Sequence, residues 1–331
     1  MTTANVAFLV DPLKGFAKNN ISTREGGCLP VPGGEEIGEP IARLIEHVER
    51  SDKPWFVVLA QDWHPKGHIS FASSHKNLAT NLDVYSTIYL HENGAHNRPI
   101  AAVQSGITFD IEADHRGHIT RVRYDRPHVA IPSDAVQQIL WPDHCIQGTR
   151  SAQVLEPIRE VLPPTLTAQL EYPPYNSRNI LRATGRQGHP YAVIRKGYDP
   201  LHDSYSLVKD NGGITETPAR AYFEEMGKAM QVKGINKVNA HFGGLATDFC
   251  VDWSYEDTRA ILPGILKKYG VEEVSFYFLP EISRGISPEN SQAVIARMAT
   301  EGVEQRTIED IIRGSISKRP LITHPTIAPS A

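Results

Sequence analysis

Five residues that can do chemistry stand where short apolar runs end: Asp11, Asp62, His64, Lys196 and Cys250. Cys250 closes the run GGLATDFC at positions 243–250, where a strand-like segment gives way to a helix-like one. A strand, a turn of small residues and a thiol at a helix start suit a nucleophile. The helix N-terminus supplies free N–H groups and partial positive charge, which favour thiolate. The chain has only three cysteines (Cys28, Cys145 and Cys250), too few and too odd in number for a disulfide framework. A thiol-redox centre would need a second cysteine beside Cys250. Asp62 and His64 lie two residues apart after a strand, so their side chains share a side if the chain stays extended. A carboxylate with an imidazole suits zinc, manganese or iron but leaves the site incomplete. His68, His75 and His144 are candidates for a third ligand; the WPDHC context of His144 would stiffen its backbone.

The elements that must position these groups follow from apolar periodicity. Strands are expected over 6–10, 55–60, 191–195, 237–242 and 274–279, and helices over 35–50, 152–161, 218–233, 248–269 and 289–302. Ser287 and Pro288 read as the cap and first turn of the last of these helices. Strands alternating with helices predict an α/β fold: a doubly wound, mostly parallel sheet with helices on both faces. In such sheets ligands bind beyond the carboxyl ends of the strands, so a carboxylate, a metal pair, an ammonium and a thiol would meet on one rim.

The rest of the chain bounds the function. Its 331 residues are read as a single domain without a linker. Two segments look inserted: about 77–133, a β-hairpin-like excursion, and about 163–190, an ordered loop or cover; about 314–331 reads as an irregular tail. A formal charge of −4 argues against a nucleic-acid or membrane-surface partner. The start, MTTANVAFLVD, reads as a first strand rather than a signal peptide. No apolar run approaches the roughly 18 residues that span a bilayer. A cytoplasmic enzyme is the expectation, with oligomeric state left open.

Four motifs together resemble the nicotinamidases of the isochorismatase-like cysteine hydrolase superfamily: FLVDPLKGF (8–16), QDWHPKGHISFA (61–72) with WPDHC (141–145), RKGYDPLHDSYS (195–206) and GGLATDFCV (243–251). The resemblance implies Cys250 as nucleophile, Asp11 as general base and acid, and Lys196 as the third member of the triad. It implies Asp62, His64 and His144 around one divalent metal ion, zinc first, with manganese or iron as alternatives. Phe16, Trp141 and Tyr205 would enclose a flat aromatic amide. A cis peptide between Leu245 and Ala246 would leave the Ala246 and Cys250 N–H groups as an oxyanion hole. The implied reaction converts nicotinamide to nicotinate and ammonia through a thioester, within NAD salvage. A same-superfamily amidase for another small amide, or a non-catalytic metal-binding homologue, are the alternatives. Where the family usually carries Gln-Asn-Asp-Phe after the catalytic aspartate, this chain has Leu13-Lys14-Gly15-Phe16. His68 is read as a structural neighbour of the metal rather than a ligand.

Overall fold

The computed structural model describes residues 2–18, 27–75, 83–93, 98–103, 109–113, 119–124, 135–171 and 178–314. Its strands are β1 (Thr2–Val10), β2 (Trp55–Asp62), β3 (Thr87–Asn93), β4 (Arg98–Val103), β5 (Phe109–Ala113), β6 (Ile119–Tyr124), β7 (Val136–Ile139), β8 (Ile180–Thr184), β9 (Pro190–Lys196), β10 (Ile235–Leu245), β11 (Glu273–Arg284) and β12 (Glu304–Gln305). The helices are α1 (Gly38–Arg50), α2 (Glu156–Val161), α3 (Pro164–Glu171), α4 (Ala219–Val232), α5 (Asp252–Lys267), α6 (Pro288–Thr300) and α7 (Ile308–Arg313).

The main sheet has the order β12-β11-β10-β1-β2-β9-β8. Every neighbouring pair is parallel except the edge pair β8–β9. The expected doubly wound sheet is therefore present. Alternation along the central strands feeds two cores. Ala7, Leu9, Val57 and Leu59 face α1, whose Ile41, Leu44, Ile45 and Val48 recur at helical spacing. Val6, Phe8, Phe56 and Val58 face the other way and pack with α4 and α5 through Phe223, Met226, Leu262 and Leu266. Each such side chain stabilises the fold by about 1.5–3 kcal/mol when fully buried. β2 is buried along its whole length, as a central parallel strand requires.

Two smaller sheets lie in the excursion, which runs past its expected end near 133 to include β7: β4-β3-β7, and β5-β6. Both are antiparallel, in line with a hairpin-like insertion. The second inserted segment differs from the expected loop: it holds α3 and the antiparallel edge strand β8. β8 is only five residues, with Arg182 and Thr184 on its open side, so its pattern is too short and too polar to read. The tail expectation concerns residues 315–331, outside the described residues.

Ser287 caps α6 by accepting from the Asn290 N–H, with Pro288 in the first turn, as its sequence indicates. The 248–269 helix is broken near its start: a π-helical turn, Thr247–Val251, precedes α5. None of the helices among the described residues is long and apolar enough to cross a membrane.

Candidate active site

β1, β2, β9 and β10 lie side by side, so their carboxyl ends deliver Asp11, Asp62, Lys196 and the 243–250 turn to one rim. Asp62 and Lys196 are register partners on β2 and β9. Lys196 Nζ donates to Asp62 Oδ1 at 2.9 Å and to the Ser204 carbonyl at 2.9 Å. It also pairs with Asp11 Oδ2 at 2.9 Å and lies 3.5 Å from Cys250 Sγ. All of these side chains are buried, and Lys196 and Asp11 are completely so. Burial opposes the ammonium, but Asp11 and Asp62 hold its pKa well above the usual lysine value. Burial raises the Asp11 pKa to about 6 against the pull of Lys196.

Two backbone features aim these groups. Asp11 has φ 46°, so the chain turns sharply out of β1 and the Leu13 N–H donates back to the Asp11 carbonyl. Gly244 has φ 137°, and a Cβ there would sit 1.9 Å from the Val10 carbonyl oxygen; only glycine lets the 243–250 turn approach β1. The Leu245–Ala246 peptide is cis. The Phe249 and Val251 N–H groups both donate to the Ala246 carbonyl, at 3.0 and 3.1 Å. The intervening Cys250 amide falls in the first turn, where N–H groups lack helical partners.

The thiol departs from the expected thiolate. Burial pushes the Cys250 pKa well up; Lys196 pulls it down, but Asp11, Asp62 and Asp203 oppose that pull. A helix terminus suggests a low pKa from sequence, whereas burial beside three carboxylates pushes it the other way. Cys145, buried in the same region, is likewise pushed well above the ordinary thiol value by burial first.

The metal-ligating candidates converge. Asp62, His64 and His144 form a buried group whose ligand atoms lie within 4.8 Å of one another. Asp62 Oδ2 is 3.0 Å from His64 Nε2 and 3.2 Å from His144 Nε2. His64 Nδ1 meets the Gly197 carbonyl at 2.9 Å, and His144 Nδ1 meets the Pro142 carbonyl at 2.8 Å. A carbonyl only accepts, so both Nδ1 atoms carry hydrogen and both Nε2 atoms face the carboxylate. Two imidazole lone pairs against a carboxylate oxygen call for a proton or a cation between them, and carbonyl-held Nδ1–H is the usual support for a metal-binding histidine. The donor set thus fits one divalent ion. Burial opposes the Asp62 charge, but His64 and Lys196 bring its pKa well below the ordinary value.

The two halves of this cluster are far apart in sequence but joined through backbone. The His64 N–H donates to the Cys145 carbonyl, the Gln147 N–H to the His64 carbonyl, and the Ala72 N–H to the Trp141 carbonyl. His68 lies beside them in a second buried group that shares His64. Its Nδ1 lies 2.7 Å from Ser70 Oγ, its buried Nε2 has no hydrogen-bond partner among the described residues, and it groups with His64 and Asp203 rather than with Asp62 and His144. Burial drives its pKa down to about 3, so it is neutral. The side chain of His75 lies outside the described residues.

One pocket joins the thiol to the cluster. Phe16, Trp141 and Tyr205 line it, together with Cys250, Lys196, Asp62, His64, His144 and Ala246. Sequence reasoning missed Leu29, Val31, Asp203, Phe249 and Ile286, which line it too. Phe249 packs edge-on against Trp141 and Tyr205, at 5.4 and 5.7 Å between ring centres. Its place directly before Cys250 was the one available signal. Ile286 is held there because both Asp248 oxygens accept loop amides, from Ile286 and Ser287. At the divergent 13–16 segment, Lys14 pairs with Glu156 at 2.7 Å, and a Cβ on Gly15 would meet Cys145 Sγ at 2.6 Å.

Fold and site define an α/β enzyme whose buried thiol faces a carboxylate, an ammonium and an Asp-His-His cluster whose donors fit a divalent ion. Comparison with known proteins places it further. The chain is 30% identical over 227 residues to the nicotinamidase of Saccharomyces cerevisiae, covering 68% of this chain and 70% of that protein. It is 28% identical over 249 residues to the nicotinamidase of Acinetobacter baylyi (75% of this chain, 72% of that one). Against the Escherichia coli nicotinamidase it is 24% identical over 287 residues (86% and 89%). Among solved structures, the yeast nicotinamidase superposes with a TM-score of 0.56 at 20% identity, covering 91% of this chain and 98% of that one. No family model matches the chain. The chain belongs to the nicotinamidase family of amide hydrolases.

Proposed function

We propose that the chain hydrolyses nicotinamide to nicotinate and ammonia, with Cys250 as the nucleophile. The observation that carries this reading is the placement of Lys196 Nζ, 2.9 Å from Asp11 Oδ2 and 3.5 Å from Cys250 Sγ, beside an aromatic-lined pocket. Ionised Asp11 takes the thiol proton as Sγ bonds to the amide carbon. The Ala246 and Cys250 N–H groups receive the developing oxyanion; one such donor is worth about 3 kcal/mol. Asp11 then returns its proton to the amide nitrogen, the C–N bond breaks and ammonia leaves a thioester. Asp11 next deprotonates a water that attacks the thioester carbon, and the C–S bond breaks as the thiol regains its proton.

A high thiol pKa fits this sequence of steps, since a base in contact with the thiol removes the proton as the bond forms. Lys196 holds Asp11 in place throughout and keeps a positive charge beside the sulfur. Phe16, Trp141, Tyr205 and Phe249 would clamp the ring, converting a bimolecular attack into an oriented one. Asp62, His64 and His144 would hold one divalent metal ion, zinc before manganese or iron, which when bound would orient and polarise a ring nitrogen. A soluble aromatic amide as partner and a cytoplasmic setting belong to the same reading.

The experiment is ammonia release from a panel of small amides, with metal-stripped protein alongside. Preference for nicotinamide, lost on stripping and restored by one added divalent ion, supports the reading. Activity on an aliphatic amide without activity on nicotinamide would overturn the substrate while leaving the reaction class.

A further inference from the structure

The excursion between the two metal motifs ends in β7, whose Gln138 is completely buried and register-paired with Ile88 of β3. We propose that Gln138 is a positioning residue through which the β4-β3-β7 sheet holds the substrate pocket in shape. This rests on the amide-hydrolase reading above.

The Gln138 side-chain amide reaches into the site from behind. Its Nε2 lies 2.9 Å from Asp203 Oδ2, 3.4 Å from the Tyr205 hydroxyl and 2.7 Å from the Ile139 carbonyl. Three acceptors around one nitrogen fix which end of the amide faces the site. The Tyr205 hydroxyl also accepts from Trp141 Nε1 at 3.1 Å, so the Gln138 contact bears on both aromatic walls. Asp203 carries the constraint further. Its Oδ1 accepts from the Ser204 N–H at 2.8 Å, and the Ser204 carbonyl is one of the acceptors around Lys196. One amide therefore ties the excursion to the ring-binding walls and, through two more residues, to the ammonium beside Cys250. Asp203, Tyr205 and Trp141 line the pocket; Gln138 does not, so it acts through them.

The sheet has a reason to be rigid here. Ile88, Leu90, Leu140 and Ala72 form a small buried cluster under it, and the Leu140 N–H donates to the Ser86 carbonyl. The excursion thus has its own packed base, with Gln138 as its polar contact to Asp203 and Tyr205.

The test compares Gln138→Leu and Gln138→Asn with the β7 neighbour Gln137→Leu, reading kcat, KM for nicotinamide and calorimetric affinity for nicotinate. Leucine keeps the bulk and loses the donor; asparagine keeps the amide but falls one methylene short of Asp203. Both Gln138 variants should raise KM and weaken nicotinate binding about tenfold or more, with kcat falling less, while Gln137→Leu stays within about twofold. Asp203→Asn should reproduce the KM-led pattern from the other end of the contact. A Gln138→Leu protein with wild-type KM and nicotinate affinity, or equal losses in Gln137→Leu, would overturn the proposal alone. Wild-type protein that neither binds nor hydrolyses nicotinamide would overturn this inference and the reading beneath it.

Discussion

Asp62 divides its two oxygens between two centres: Oδ1 accepts from Lys196 at 2.9 Å, while Oδ2 faces His64 and His144 at 3.0 and 3.2 Å. One carboxylate therefore belongs both to the His64–His144 cluster and, through Lys196, to the Asp11–Cys250 pair. What disturbs the ammonium should be felt at the metal, and the reverse.

Lys196→Met tests that link. It leaves Asp11 and Asp62 buried without their shared cation, a change that typically costs about 3–5 kcal/mol when one partner of a buried pair is removed. Turnover, thermal midpoint and metal affinity should fall together. Metal affinity equal to wild type, measured by chelator competition, would show that the two centres are independent.

Gly197→Ala tests how the cluster is held. Gly197 has φ 62°, and a Cβ there would lie 2.4 Å from His64 Cε1. Its carbonyl is also the acceptor that sets the His64 ring. Displacing that support should weaken metal binding about 10–100-fold while Cys250 keeps its alkylation rate. Unchanged metal content after dialysis against a mild chelator would contradict the assigned role.

The pH dependence of kcat/KM should show a limb near 6, rising with pH, as Asp11 ionises and becomes a base. The stability consequence has the opposite sign. An acid whose folded pKa is raised contributes stability below its unfolded value, and that contribution is lost as pH rises through about 6. Asp11→Asn should abolish turnover and remove that loss. An activity limb unchanged near pH 4 would rule out a buried Asp11 as the base.

His241 should govern part of the acid sensitivity of the fold. Burial, aided by Arg306, depresses its pKa to about 3, and it stacks between Trp55 and Tyr277 at 5.8 and 5.3 Å. The unfolded chain takes up a proton below about 6.5 while the folded one does not, so stability falls as pH drops through that range. At pH 5 the cost is about 2 kcal/mol. Urea midpoints at pH 7 and pH 5 should converge in His241→Gln relative to wild type; an identical pH slope in both proteins would sink the assignment.

Much of this was legible from sequence because four motifs sit at strand ends, and parallel strands collect their ends on one rim. Asp11, Asp62, His64, Lys196 and Cys250 meet for that reason; His144 follows β7 of a smaller antiparallel sheet and is brought in by the backbone hydrogen bonds between 64–72 and 141–147. Asp203 and Gln138 were not legible as a pair: they are 65 residues apart, on an excursion strand and a loop, and only the fold brings them together. Nor was the thiol's raised pKa, because burial among Asp11, Asp62 and Asp203 is a property of packing rather than of the GGLATDFCV run. β8 escaped because five residues with a polar edge carry too little pattern.

The central claim is that Cys250 forms the bond to the amide carbon. The most direct measurement is ammonia release from nicotinamide by Cys250→Ala at matched metal content. Loss of turnover by at least about 10³-fold, with nicotinamide binding and metal retained, is the predicted result. Ammonia release at the wild-type rate would contradict it.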